Sequence, residues 1–237
     1  IMTNVGDQIN AENANWSFRG NISEHFDQHI KKSIPFYDTS HELGVSISDF
    51  FLDDGSICYD LGCSTGTLLT RLAQHHQAKR VQFIGIDVET EMVKYAQDVC
   101  QNLSNVEIRG ESLLDVELEK ADLILAYYTM QFIKPKHRQL LFNRIYEALN
   151  WGGGFLLFEK VRSPDARFQD MMTTLYNDYK LDQGYSGNEI VAKNRSLKGV
   201  LEPFSTAGNL GLLERAGFVD ITTVMKYICF QGFLAIK

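Results

Sequence analysis

From Ser56 onward, short apolar runs alternate with amphipathic stretches. Ser56–Leu61, Val81–Asp87, Ala121–Ala126 and Phe155–Phe158 are nearly continuous in apolar residues, as strands buried on both faces are. Asn105–Arg109 is a shorter run of the same kind. Between the runs, Thr67–His76 repeats its apolar positions at helical spacing. So does the stretch carrying Met92, Ala96, Val99 and Leu103. Pro135 suits the first turn of a further helix, which would bury Leu141, Ile145, Ala148 and Leu149. Asn150-Trp151-Gly152-Gly153-Gly154 reads as that helix's stop. Thr206–Ala216, capped by Gly217, is a last helix. Phe218–Tyr227 and Ile228–Ile236 close the chain as two strands with a tight connection, so the last strand should run antiparallel. The pattern predicts an α/β, Rossmann-like fold, a mostly parallel seven-stranded sheet with helices on both faces.

Three segments fall outside this rhythm. Residues 1–15 are polar and Asn-rich, which predicts a flexible arm. From 16 to 54 the apolar positions Trp16, Phe18, Ile22, Phe26, Ile30, Ile34, Phe36 and Tyr37 recur without strand alternation. Pro35 divides them into one helix through Ile22, Phe26 and Ile30 and a second from about Thr39 to Phe51, together a helical cap. Residues 160–205 carry two more helices, Arg167–Tyr179 and about Gly187–Leu201. The first has Phe168, Met171, Met172 and Leu175 on its apolar side. This insertion follows a strand at the carboxyl edge of the sheet, where ligands bind, and is a candidate lid. One domain over 16–237 is expected.

Candidate chemistry gathers at the first strand. Ile57–Gly66 runs from apolar strand through Asp60 to the turn Gly62-Cys63-Ser64-Thr65-Gly66, and then at once into a helix. Such a turn admits a ligand close to the backbone, and the helix aims unpaired N–H groups into the same space. The second strand ends on Asp87, at a spacing near the roughly 20 residues expected of a ribose-binding carboxylate. A dinucleotide fingerprint needs glycine where Ser64 stands, and no Gly-Lys-Ser/Thr follows to make a P-loop. A nucleoside bearing an amino acid fits better. Asp60 could serve its ammonium and Asp87 its ribose hydroxyls, which selects S-adenosyl-L-methionine. Glu111, after the third strand, is the next acid in line.

Composition narrows the partners. A length of 237 residues with 44% apolar content suits one globular domain. No apolar run approaches the roughly 20 residues of a membrane helix, and no basic-then-apolar leader opens the chain. A cytoplasmic protein without membrane contact is expected. The net charge of −7 argues against direct nucleic-acid binding. Cys58, Cys63, Cys100 and Cys229 lack metal-ligand spacing and read as buried thiols. His25 and His29, His75 and His76, and the cluster Lys134, Lys136, His137 and Arg138 read as solvated helix faces, and no metal is expected.

The quoted motifs resemble a known family. Asp60-Leu61-Gly62-Cys63-Ser64, Gly85-Ile86-Asp87, Gly152-Gly153 before a strand, and Ala216-Gly217-Phe218 resemble class I S-adenosylmethionine-dependent methyltransferases. Tyr59–Ser64, Met130-Gln131-Phe132, Gly184-Tyr185-Ser186 through Lys193-Asn194-Arg195-Ser196, and the Phe-rich final strands resemble, more narrowly, the carboxy-S-adenosyl-L-methionine synthase family. The likeness runs from Trp16 to Lys237. It implies a class I methyltransferase fold and a homodimer. It implies cofactor contacts at Tyr37, Gly62-Cys63-Ser64, Asp87-Val88, Glu111-Ser112 and Tyr127. Arg195 would pair with the extra carboxylate of carboxy-S-adenosyl-L-methionine as bound product. Val88, Glu111 and Tyr127 stand where that family's pattern has Asn, Asp and Asn. Three activities are in view. One is methyl transfer to a small molecule, acidic if Arg195 reads it, with Tyr127, Tyr128 and Arg195 as candidate catalytic residues. Another is carboxy-S-adenosyl-L-methionine synthesis from prephenate, serving modification of a transfer RNA wobble uridine. The third is a non-catalytic cofactor-binding partner.

Overall fold

A computed structural model describes residues 2–17 and 22–237. Phe18 lies outside the described residues. A small antiparallel hairpin, β1 (Thr3–Asn4) and β2 (Asn10–Ala11), opens the chain. Two helices follow, α1 (Ile22–Ser33) and α2 (Tyr37–Ser48), parted at Pro35. The alternating unit is β3 (Ile57–Leu61), α3 (Thr67–His75), β4 (Gln82–Asp87), α4 (Thr90–Cys100), β5 (Val106–Gly110) and β6 (Ala121–Tyr127). After a 3₁₀ turn at Met130–Phe132 come α5 (Pro135–Ala148) and β7 (Leu149–Lys160). Then follow α6 (Ala166–Asp182), α7 (Gly187–Ser196), α8 (Thr206–Ala216), β8 (Asp220–Tyr227) and β9 (Phe230–Ile236).

The seven-stranded sheet has the order β5-β4-β3-β6-β7-β9-β8. Its pairings are parallel except at β9, which is antiparallel to both neighbours. Strand order reverses between β3 and β6, so their carboxyl ends open a crevice there. Alternate residues fill two cores. Cys58, Phe83, Leu125 and Phe158 pack with α3 and α4. Tyr59, Ile84, Phe155 and Leu157 pack with α5 and α8 on the other face. That two-sided burial is why these strands read as unbroken apolar runs.

Several expectations are corrected. Residues 2–15 are not a loose arm. Val5 and Ile9 are buried with Trp16, Phe26 and Met92 in a third cluster, enough apolar area to hold a hairpin that composition alone would leave unstructured. Helix α5 does not end on a glycine cap. Leu149 already pairs with Ala121, and Gly154 with Leu123, so Asn150–Gly153 bulge out within β7. Helix α4 stops at Cys100 and buries Met92, Val93 and Ala96, leaving Val99 exposed. Helix α7 ends at Ser196, short of Leu201. His29, His76 and Arg138 are buried, not solvated. His76 bonds the Ser48 hydroxyl at 2.7 Å, and Arg138 donates to the Ile133 and Gln131 carbonyls. All four cysteines are free and buried, as expected. No described helix is long and apolar enough to cross a membrane.

Candidate functional site

The turn after β3 is fixed by its own backbone. Gly62 and Cys63 donate their N–H groups to the Ile86 carbonyl at 2.7 and 3.0 Å, which ties the turn to β4. Gly62 has φ +79°, and a Cβ there would collide with the Thr129 side chain. Only glycine meets both demands. Ser64 takes a left-handed φ of 52° and donates its N–H to Asp87 Oδ2 at 2.9 Å. Asp87 Oδ1 accepts the Glu89 N–H, also at 2.9 Å. Two backbone amides thus aim the Asp87 carboxylate across the crevice.

A cavity of about 720 Å³ lies at these carboxyl ends. Of the residues singled out by sequence, it brings together Tyr37, Asp60, Gly62, Cys63, Ser64, Asp87, Val88, Ser112, Tyr127 and Tyr128. It does not bring in three others. Gly66 caps α3 and packs behind the turn against Ala96 and Cys100. Glu111 is exposed and outside the wall. Arg195 is exposed and outside it too, its carbonyl accepting the Ala14 N–H, while its neighbours Lys193 and Asn194 line the cavity. Helix α7 has one inward face, and spacing alone did not reveal which residues share it.

Asp60 is buried at the end of β3. Desolvation, and then the charge of Asp87, raise its carboxyl to about 7. Desolvation likewise raises Asp87, against the bonds it accepts from backbone amides. A cation placed beside these two acids would favour their ionised forms. Tyr127 stacks on Phe158 at 4.5 Å and donates its hydroxyl to the Ser40 carbonyl at 2.8 Å. Gly44 permits that approach, since a Cβ there would strike the Tyr127 hydroxyl. Tyr128 has a left-handed φ of 56°, an outlier for an aromatic residue that belongs with the site. Burial raises both phenols above their ordinary range, so they can donate hydrogen bonds but cannot take a proton near neutral pH.

Sequence reasoning missed the groups that close the cavity. Asp27 of α1 accepts from the Thr65 and Thr67 hydroxyls at 2.8 and 3.0 Å, clasping the helix to the turn. Asp7, in the hairpin, accepts from Lys32 at 2.6 Å, from His29 Nδ1 at 2.9 Å and from the Tyr185 hydroxyl. His29 Nε2 faces Lys193 Nζ at 3.1 Å. These partners assign a neutral ring with its proton on Nδ1. Desolvation and the Lys193 charge hold His29 down at about 4. Lys193 in turn lies over the Trp16 ring.

The chain is similar over nearly its whole length to proteins named carboxy-S-adenosyl-L-methionine synthase. The one from Staphylococcus epidermidis is 34% identical over 223 residues, covering 94% of this chain and 97% of that protein. This chain belongs to that family. The Wolinella succinogenes synthase is 36% identical over 227 residues, covering 94% and 93%. Residues 58–153 match the family described as methyltransferase domain, which spans β3 to the bulge in β7. Among solved structures, human N-acetylserotonin methyltransferase in complex with SAM superposes with a TM-score of 0.63 at 20% identity. That superposition covers 93% of this chain and 57% of that one. It shows the class I methyltransferase fold. Carboxy-S-adenosyl-L-methionine synthases are S-adenosylmethionine-dependent transferases, and the cradle at Gly62, Asp60 and Asp87 fits such a cofactor.

Proposed function

We propose that the protein is a methyltransferase that passes the methyl group of S-adenosyl-L-methionine to a small molecule. One observation carries this reading over synthesis of carboxy-S-adenosyl-L-methionine. The groups suited to the adenosyl and amino acid parts face the cavity, whereas Arg195, the candidate partner for an extra carboxylate, does not. Asp87 would accept from the ribose hydroxyls, and Asp60 would face the ammonium. Ser112 would sit beside the base. The bound cofactor supplies an electrophilic methyl carbon. The chain's own part is positioning: the Ser40-bonded Tyr127 and the strained Tyr128 wall the reacting end and hold the acceptor in line. Neither phenol removes a proton there, so the acceptor is a group nucleophilic at neutral pH or one that loses its own proton.

The second reading is carboxy-S-adenosyl-L-methionine synthesis from S-adenosylmethionine and prephenate, serving modification of a transfer RNA wobble uridine. It is favoured by full-length similarity to relatives bearing that name. Mass spectrometry of the ligand released from purified protein separates the two. Methyl transfer predicts S-adenosylmethionine or its demethylated product, and no consumption of prephenate when both are supplied. Recovery of a ligand heavier by one carboxylate, or turnover of prephenate, overturns the reading in favour of the synthase. A purely cofactor-binding role would leave S-adenosylmethionine unconsumed by any small-molecule pool. Cytoplasmic residence, a homodimer and no direct nucleic-acid contact complete the reading, the last supported by the net charge of −7.

A further inference from the structure

Three lysines line the cavity of this acidic protein: Lys160, Lys180 and Lys193. Lys193 has company. It meets His29, and the Asp7 charge lies close enough to favour its ammonium. Lys160 and Lys180 differ. Strand alternation puts Lys160 and its neighbour Glu159 on opposite faces of β7. Glu159 is spent on the Arg138 side, where it accepts the Met130 N–H at 3.0 Å. Lys180 projects from the inner face of α6, buried to all but 7% of its surface. Both ammonium groups lie over one ring, that of Tyr176, at 4.7 and 4.3 Å from its centroid. The Tyr176 hydroxyl is anchored on the Ser33 carbonyl at 2.6 Å. Among the described residues neither amine has an ion pair or a hydrogen bond to its nitrogen. The titratable groups beside both are the Tyr176 phenol and the Cys229 thiol, which burial keeps protonated, while the Arg162 charge reaches Lys160 and the Lys180 charge reaches Lys193.

Holding two like charges together without a counter-ion, Lys180 buried and Lys160 half-buried, is costly, and an aromatic face offsets only part of it. Burial pushes Lys160 down, and burial with the Lys160 charge pushes Lys180 down to about 8. An incoming anion would relieve both penalties at once. The pair also lines the same cavity as Asp60 and Asp87. Tyr128 has its ring 6.1 Å from Tyr37 at the cofactor side and 5.9 Å from Phe230. Phe230 lies edge-on to Tyr176 at 5.2 Å. A chain of rings thus runs from the cofactor cradle to the lysines.

We propose that Lys160 and Lys180, held over Tyr176, are the groups of this cavity that receive a carboxylate of the second substrate. This rests on the transferase reading above, but its test uses binding alone. Benzoate and the uncharged benzamide are titrated calorimetrically into protein saturated with S-adenosylhomocysteine. Wild-type protein is expected to bind benzoate, with benzamide weaker by roughly tenfold or more. Lys160→Met and Lys180→Met each lower benzoate affinity by about as much, and the double variant abolishes saturable binding. S-adenosylhomocysteine affinity stays unchanged, which certifies the fold. Lys180→Arg, which keeps the charge, retains benzoate. If the double variant does not fold, Lys180→Arg against Lys180→Met decides alone. Equal binding of benzamide and benzoate overturns the proposal. So does wild-type benzoate affinity in the Lys→Met variants, or no saturable benzoate binding to wild-type protein. If S-adenosylhomocysteine itself fails to bind wild type, the transferase reading falls, and benzoate titrated into unliganded protein still scores the lysine pair.

Discussion

Asp60 and Asp87 illustrate how little of a site's electrostatics lies in residue type. Both are acids at strand ends, yet Asp87 is held by two amides while Asp60 is buried behind it. The consequence for Asp60 is a carboxyl raised from 3.8 to about 7, by burial first and by Asp87 second. A carboxyl bound more tightly to its proton in the folded state gives full stability below about pH 4, and that stability is lost as pH rises through 7. Asp60→Asn removes the titration. It is therefore expected to melt higher than wild type at pH 8, and to lose most of that advantage at pH 5, when both are scanned without cofactor. Each pKa unit is worth about 1.4 kcal/mol, so the difference should amount to a few kcal/mol. The same variant should bind S-adenosylmethionine more weakly, because the cofactor's cation is what compensates the charge. An equal melting difference at both pH values would contradict the assignment.

Whole elements were legible wherever period and punctuation agreed. The strand–turn–helix from Ile57 to His75 and the helix Thr206–Ala216 with its Gly217 cap appear as the apolar pattern predicts. That the turn residues and Asp87 meet at one cavity was legible for the same reason, since the turn's glycine requirement and the acid at a strand end are local. Arg195 and Glu111 were not, because whether a side chain on a short helix or loop faces a cavity depends on how that element docks. The hairpin was invisible because two apolar residues, Val5 and Ile9, carry no periodicity. Besides that apolar cluster, the hairpin has a polar, long-range hold: Asp7 reaches α1 at His29 and Lys32 and the α7 entry at Tyr185. Asp7→Asn weakens these charged bonds and should destabilise the hairpin by about 1.5–3 kcal/mol. Hydrogen-exchange protection of residues 3–11 reads that loss, with the sheet strands as internal control. Acid should mimic the variant. His29, held down at about 4, contributes stability that is complete above its ordinary 6.5 and lost as pH falls through 4. Asp7, held at about 2 by its bonds against its burial, adds its own loss only as pH falls from its ordinary 3.8 through 2. Hairpin protection factors should thus decline between pH 6.5 and 4. If they hold steady to pH 4, the His29 contact does not secure it.

At the scale of the molecule, α6 faces two ways. Its inner side carries Tyr176 and Lys180 into the cavity. Its outer side carries Phe168, Met171 and Leu175, which the sequence marks as an apolar helix face and which stand 48%, 55% and 48% exposed. An amphipathic stripe left in water on a helix suits an interaction surface, and it is the face on which the homodimer proposed above is tested. Light scattering coupled to size exclusion should find wild-type protein as a dimer and Met171→Asp as a monomer, since a charge at the centre of a buried apolar patch costs several kcal/mol. The two faces share one helix, so loss of the partner should loosen the seat of Tyr176 and Lys180. The monomeric variant is then expected to lose benzoate affinity while its affinity for S-adenosylhomocysteine, held by β3, β4 and their turns, stays within about twofold, near the scatter of additive, uncoupled sites. A wild-type monomer at every concentration would end this account of α6. A Met171→Asp monomer with undiminished benzoate binding would keep the dimer and remove its link to the substrate.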